Sequence, residues 1–256
     1  MILRRITEHV KAQNWTAVAL DFVIVVVGVF MGIQLGNWNE ARALKAQERS
    51  YLVLLHEELV QNAERSALLL EYYTTVTEAG NRALAFLKGD EECEAACEEL
   101  LIDFFHASQL WAVTFDQTAF REAIELGFPS DRALREEFIA TYNLTNSFGL
   151  INQVSPPFRE TVREYIEPDA ARILWTGCWE VDVAAVSERL TRGCAEQLKA
   201  VDSSGMLQEI KSDPHLKRML RYSLSQNIVA MLNYPTARDR AIETAELVWA
   251  EIEAVK

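Results

Sequence analysis

The stretch Thr16–Gly36, TAVALDFVIVVVGVFMGIQLG, constrains this chain more than any other part of it. At ~1.5 Å of rise per residue it is long enough to cross the ~30 Å hydrocarbon layer of a bilayer, and its only ionisable side chain is Asp21. A cleavable secretory signal is the competing reading. Its apolar core would run ~7–15 residues, shorter than this stretch, and Gln34-Leu35-Gly36-Asn37-Trp38 offers no small-x-small cleavage site. A retained transmembrane helix over residues 15–37 is therefore expected.

The flanks orient it. Arg4, Arg5 and Lys11 precede the span and only Glu8 opposes them, whereas Arg42, Lys45 and Arg49 on the far side alternate with Glu40 and Glu48. The excess of cations on the short amino-terminal flank predicts a cytoplasmic amino end. Residues 1–14, MILRRITEHVKAQN, place Ile2, Leu3, Ile6 and Val10 at helical spacing, the pattern of an interfacial segment on the inner leaflet with Trp15 at the boundary. Residues 38–256 then lie outside, in the periplasm of a Gram-negative bacterium. So short a cytoplasmic segment is below the ~40 residues that independent folding needs, which excludes a cytoplasmic signalling output.

Within the span, Asp21, Val25, Gly28, Gly32 and Gly36 recur at steps of three or four and share one face. Glycines at that spacing let another helix's backbone approach closely, so the span is expected to pack against a second helix, from a homo-oligomer or from another membrane protein. Asp21 has two readings: a packing residue that snorkels or bonds a neighbouring helix, or a proton-binding carboxylate of an ion-motive complex.

The helix exit, Gly36-Asn37-Trp38-Asn39-Glu40, together with the GVFMGIQ centre, resembles a family of uncharacterised bacterial single-span membrane proteins. The likeness extends over roughly residues 15–45, with a weaker echo in FDQTAFREAIELGFPSDRALR, Phe115–Arg135. It implies a bacterial inner-membrane protein with one span and brings no assigned activity.

Beyond the membrane the pattern is helical throughout, so the expected fold is all-α: the span continues as a long stalk helix into a soluble multi-helix bundle. From Glu40 to near Lys88 no proline interrupts an apolar stripe that includes Leu52, Leu55, Leu59, Tyr73 and Val76. Gly89-Asp90 marks a turn before an acidic helix start, and Gly127 with Pro129 stops a helix from about Asp116, after which Ser130 caps the next. Pro156-Pro157 opens a further helix, which Pro168 ends or bends. Asp182 and Gly193 bound another, Asp213-Pro214 opens one that Asn233-Tyr234-Pro235 ends, and Thr236 with Asp239 caps the last.

Cys93, Cys97, Cys178 and Cys194 form an even set that reads first as disulfides of an oxidising compartment, with free thiols and a zinc site behind. One helix joining Cys178 to Cys194 would hold them ~24 Å apart, so a bridge between them requires the chain to fold back; otherwise they pair with Cys93 and Cys97.

A formal net charge of -13 argues against nucleic acid as a partner. His9, His56, His106 and His215 are scattered, no His-Glu-x-x-His helix or phosphate loop occurs, and neither catalysis, a cofactor nor a metal is expected. The leading expectation is a membrane-anchored scaffold or interaction protein. Its alternatives are an accessory or ion-coupling subunit using Asp21, and an enzyme or ligand-binding domain with a pocket beside residues 146–157.

Overall fold

The structure, a computed structural model, describes residues 15–90, 92–149, 154–183 and 186–254. The interfacial segment expected over residues 1–14 lies outside the described residues. One helix dominates: α1, Trp15–Lys88, runs unbroken for 74 residues, about 110 Å at ~1.5 Å per residue. It is followed by α2 (Cys97–Ala107), α3 (Thr118–Glu125), α4 (Arg132–Gly149), α5 (Pro157–Glu164) and α6 (Pro168–Gly177). A two-stranded antiparallel hairpin, β1 (Trp179–Asp182) with β2 (Ser187–Leu190), precedes α7 (Ala195–Leu198), α8 (Ser203–Ser212) and the 39-residue α9 (Leu216–Ala254). The fold is all-α apart from this hairpin.

The first part of α1 stands alone. It is the one helix among the described residues long and apolar enough to cross a membrane, and none of its apolar window is buried. Phe22, Phe30 and Met31 are each at least 60% exposed. From Leu52 onward the helix enters the bundle, and the centre of its buried face follows alternating steps of three and four: Leu52, Leu55, Leu59, Asn62, Ser66, Leu69, Tyr73, Val76, Gly80, Ala83 and Leu87, widened by Glu58, Ala63, Tyr72, Thr77 and Ala79. That 3.5-residue period keeps one seam turned towards the bundle.

Three core clusters line up on this seam. Nearest the span, Leu52, Leu55 and Leu59 meet Phe138 and Tyr142 of α4 and Ala245 and Val248 of α9. In the middle, Tyr73 and Val76 pack with Trp111 and Tyr234, the Tyr73 and Tyr234 rings stacking at 5.9 Å. At the far end, Ala83 and Leu87 join Phe104 and Phe105 of α2, Leu174 of α6 and Leu220 of α9. Arg159 and Arg163 of α5 both donate to the Ser108 carbonyl just past α2, Arg159 Nη1 at 2.7 Å. Cations there complement the helix dipole.

Several expected boundaries move. Asn233-Tyr234-Pro235 does not end a helix: α9 passes through Pro235, and Thr236 with Asp239 caps nothing. A proline inside a helix costs about 3 kcal/mol. Tyr234 and Ala237 on either side of it are buried, and burying a large apolar side chain returns ~1.5–3 kcal/mol, so packing on α1 overrides the local signal. Pro168 neither ends nor bends α5 but opens α6 at its first turn. The cap of α4 is Asp131, whose Oδ1 accepts from Leu134 N at 2.8 Å, while Ser130 bonds Glu48 of α1. Of the acidic run after Gly89-Asp90, only Glu98 and Glu99 lie in the first turn of α2, because the chain between closes a tight loop first.

The largest correction concerns residues 182–193, where the hairpin replaces the expected helix. Trp179 pairs with Leu190 and Asp182 with Ser187, and Thr191 N donates to the Cys178 carbonyl at 3.1 Å. This fold-back brings the Cα atoms of Cys178 and Cys194 to 5.3 Å, within disulfide distance, and Cys93 is likewise paired with Cys97 at 5.6 Å.

The two bridges differ in setting. Cys178 and Cys194 are fully buried and close a loop 16 residues in separation, whereas Cys93 and Cys97 are half-buried and separated by 4. The chain-entropy account gives about 2 kcal/mol for the short loop and about 3 for the long one. Mild reduction without denaturant is expected to open Cys93–Cys97 first. Timed alkylation followed by peptide mapping checks this, and earlier labelling of Cys178 would contradict it.

Candidate functional site

Two features remain after the core is accounted for: the face of the span and a groove higher on the same helix. Gly28, Gly32 and Gly36 are open, with no atom within 4 Å of the place a Cβ would occupy. Asp21 and Val25 continue that face, and Asp21 Oδ2 has no hydrogen-bond partner among the described residues. Where the helix leaves the apolar stretch, the Arg42 guanidinium lies 5.7 Å from the Trp38 ring, an amphipathic pair suited to a membrane boundary.

The groove lies between α1 and α9 on the solvent side. It encloses about 660 Å³ and is walled by Val60, Ala63 and Ala67 of α1 and by Ile242, Ala245 and Trp249 of α9. His56, expected at the surface, is half-buried here, its ring 5.2 Å from Trp249. Glu64, Glu246 and Arg238 stand at the rim. Trp249 is 50% exposed and Ile242 42%, so the α9 wall presents apolar surface to solvent.

The polar residues that could have carried chemistry are engaged in holding elements together. Glu58, unlike its exposed neighbour Glu57, is buried. Its carboxylate accepts from Ala119 N at 2.7 Å, Phe120 N at 3.3 Å and the Tyr142 hydroxyl, so it caps α3 from α1. Burial raises its pKa above the ordinary value, partly opposed by those hydrogen bonds, and burial likewise pushes the Tyr142 hydroxyl up. Beside it, Asn62 exchanges two hydrogen bonds with the Asp116 backbone, at 2.8 and 3.0 Å. Asp116 in turn accepts from Thr118 N and Oγ1, which hold its pKa below the usual carboxylate range. The stretch Phe115–Arg135 is thus a docking strap for α3 and α4 on α1.

Asp103 and His106, three apart on α2, are drawn to different partners. Asp103 takes a two-pronged bond from Arg82 of α1, at 3.0 and 2.8 Å, and a third from Arg192 Nη1 at 2.6 Å. His106 is buried, with Nε2 3.2 Å from the Cys178 carbonyl, and burial lowers its pKa to about 4, so it is neutral at pH 7. No group of three metal-ligating side chains occurs among the described residues.

A polar cleft of about 740 Å³ does border Asn146, with Asn62, Arg65, Asp116 and Arg121 around it. Its Gln117 and Asn146 amides bond one another and Arg121 bonds Gln117, so the groups are turned towards each other. Residues 150–153 of the expected irregular stretch lie outside the described residues.

Periodicity picks out the glycine row and the stripe of α1, and gives no reason to single out Glu58, Arg82, Tyr142 or Arg192. Each acts across more than 20 positions of sequence, and nothing local distinguishes Glu58 from Glu57 except its place one step further round the helix. No family model, curated protein or solved structure matches this chain.

Proposed function

We propose that this chain is a membrane-anchored helical scaffold of the bacterial inner membrane. In this reading its amino end is cytoplasmic, its bundle stands in the periplasm, and it associates through Asp21, Val25, Gly28, Gly32 and Gly36. The observation that carries it is the open glycine face on a helix that continues without a break into the bundle, so association in the membrane is transmitted rigidly to the domain outside. Two cysteine pairs at bonding distance fit an oxidising compartment. Gly32→Ile puts a branched side chain where a neighbouring backbone would lie, and it is expected to lower self-association of the full chain in its own membrane roughly tenfold, about 1.4 kcal/mol. Unchanged association, measured by energy transfer between labelled copies, would exclude a homotypic glycine contact.

A second reading, an accessory or ion-coupling subunit, rests on Asp21 alone, whose Oδ2 is enclosed without a hydrogen-bond partner among the described residues. Asp21→Asn keeps size and hydrogen bonding while removing the titrating proton. Loss of function with association intact would move this reading ahead, whereas retained function would remove it.

A further inference from the structure

The span and the groove lie on one helix, and their relation follows from its period. Gly32, Asn39, Ala46, Val53, Val60 and Ala67 recur every seventh residue, and each is exposed. Within the bundle this row lies one residue beyond the buried series Leu52, Leu59 and Ser66. On a straight helix a seven-residue row drifts about 20° per heptad, so it faces one neighbour along its whole length when the two helices supercoil about each other. The residues four beyond its first three members, Gly36, Ala43 and Ser50, are small and exposed as well. One strip of exposed residues thus links the groove wall, the free stalk and the glycine face.

Whatever covers the whole strip must be a helix that crosses the membrane beside Gly32 and still lies alongside at Ala67, ~50 Å further along the axis. A second α1 is such a helix. In a parallel pair about a two-fold axis, equal residues sit at equal heights. The flank of α1 that the second copy would offer to the groove carries Leu54, 47% exposed, and Leu68, 37% exposed beside the hairpin. It also carries Glu57 and Glu64, which would come to a rim that holds His56, Arg238 and Glu246. Asn39, the one polar residue of the seven-residue row itself, would meet its own copy, the placement that sets register in two-stranded coils.

We propose that the groove between α1 and α9 is the seat of α1 from a second copy of this chain, closing a parallel two-fold pair from Gly32 to Ala67. This rests on the homotypic anchor reading and goes beyond it, because glycine-mediated spans can also cross at about -40°, which would splay the stalks and leave the groove empty.

Single-cysteine cross-linking of the full chain in its native membrane separates these cases, since the native cysteines are paired. The variants are Gly32→Cys, Val60→Cys and, as a control on α4, the exposed Ile139→Cys. Under mild oxidation, Gly32→Cys and Val60→Cys are both expected to give covalent dimers, with Val60→Cys at least roughly tenfold above Ile139→Cys because a seated pair has a far higher effective concentration. Dimers at Gly32 without dimers at Val60 would overturn the seating in the groove while leaving association of the anchor intact. Dimers at neither position would overturn both, and equal yields at Val60 and Ile139 would mark chance collision and overturn the proposal.

Discussion

Glu58→Ala is expected to remove roughly 3–5 kcal/mol of folding stability, because it strands one buried and two half-buried donors at once. The Ala119 and Phe120 amides and the Tyr142 hydroxyl all converge on that carboxylate, while Asn62 of α1 holds the chain just before α3 at Asp116. Glu58→Gln retains an acceptor and should lose much less. The pH dependence reports on the carboxyl itself, which both substitutions remove. Burial raises the folded pKa of Glu58 above the ordinary glutamate value, so its contribution is fully present below that ordinary value and is lost as the pH rises through the folded pKa. The stability gap between the natural chain and Glu58→Gln should therefore narrow from acid towards neutral pH. Urea unfolding of the full chain in detergent, followed by circular dichroism, reads both effects. A Glu58→Ala loss below about 1 kcal/mol would mean that α3 is held by its apolar contacts alone.

Asp103→Ala is expected to cost roughly 2–4 kcal/mol. Removing one member of a buried charge cluster ordinarily costs ~3–5 kcal/mol, and the lower range applies here because Arg82 and Arg192 are 50% and 38% exposed and can rehydrate. The carboxylate itself is only 5% exposed and joins three pieces of chain: α1 through Arg82, α2 through its own backbone, and the segment after β2 through Arg192. Arg192 also holds Glu99, with Nε donating to Oε2 at 2.6 Å and Nη2 to the carbonyl at 2.8 Å. Loss of Asp103 should thus loosen the hairpin before the bundle. Limited proteolysis between Cys178 and Cys194, made visible by reducing the bridge after digestion, is expected to speed up in Asp103→Ala while α1 and α9 stay resistant. Uniform resistance would show that the disulfide and Trp179 suffice to hold the hairpin.

How far the fold was legible depended on how local its causes were. The span, the unbroken run from Glu40 to Lys88 and the helix starts at Pro157 and after Asp213 rest on hydropathy, a regular period and proline placement, all within a few turns of one another. The open glycine face is likewise a property of one helix, readable from spacing alone.

The sequence by itself therefore determined the long apolar helix, its continuation as a stalk and the all-α class, because each follows from side chains whose periodicity matches the helix they sit on. Tertiary structure alone decided the rest. Contacts with α1 carried α9 through Pro235, and the hairpin that joins Cys178 to Cys194 is closed by pairing across the turn and by Arg192 reaching α2. Glu58 became a cap, Asp103 a three-way tie and the α1–α9 flank a groove only once distant segments were brought together. Those roles belong to energies between partners more than 20 residues apart, which no local pattern records.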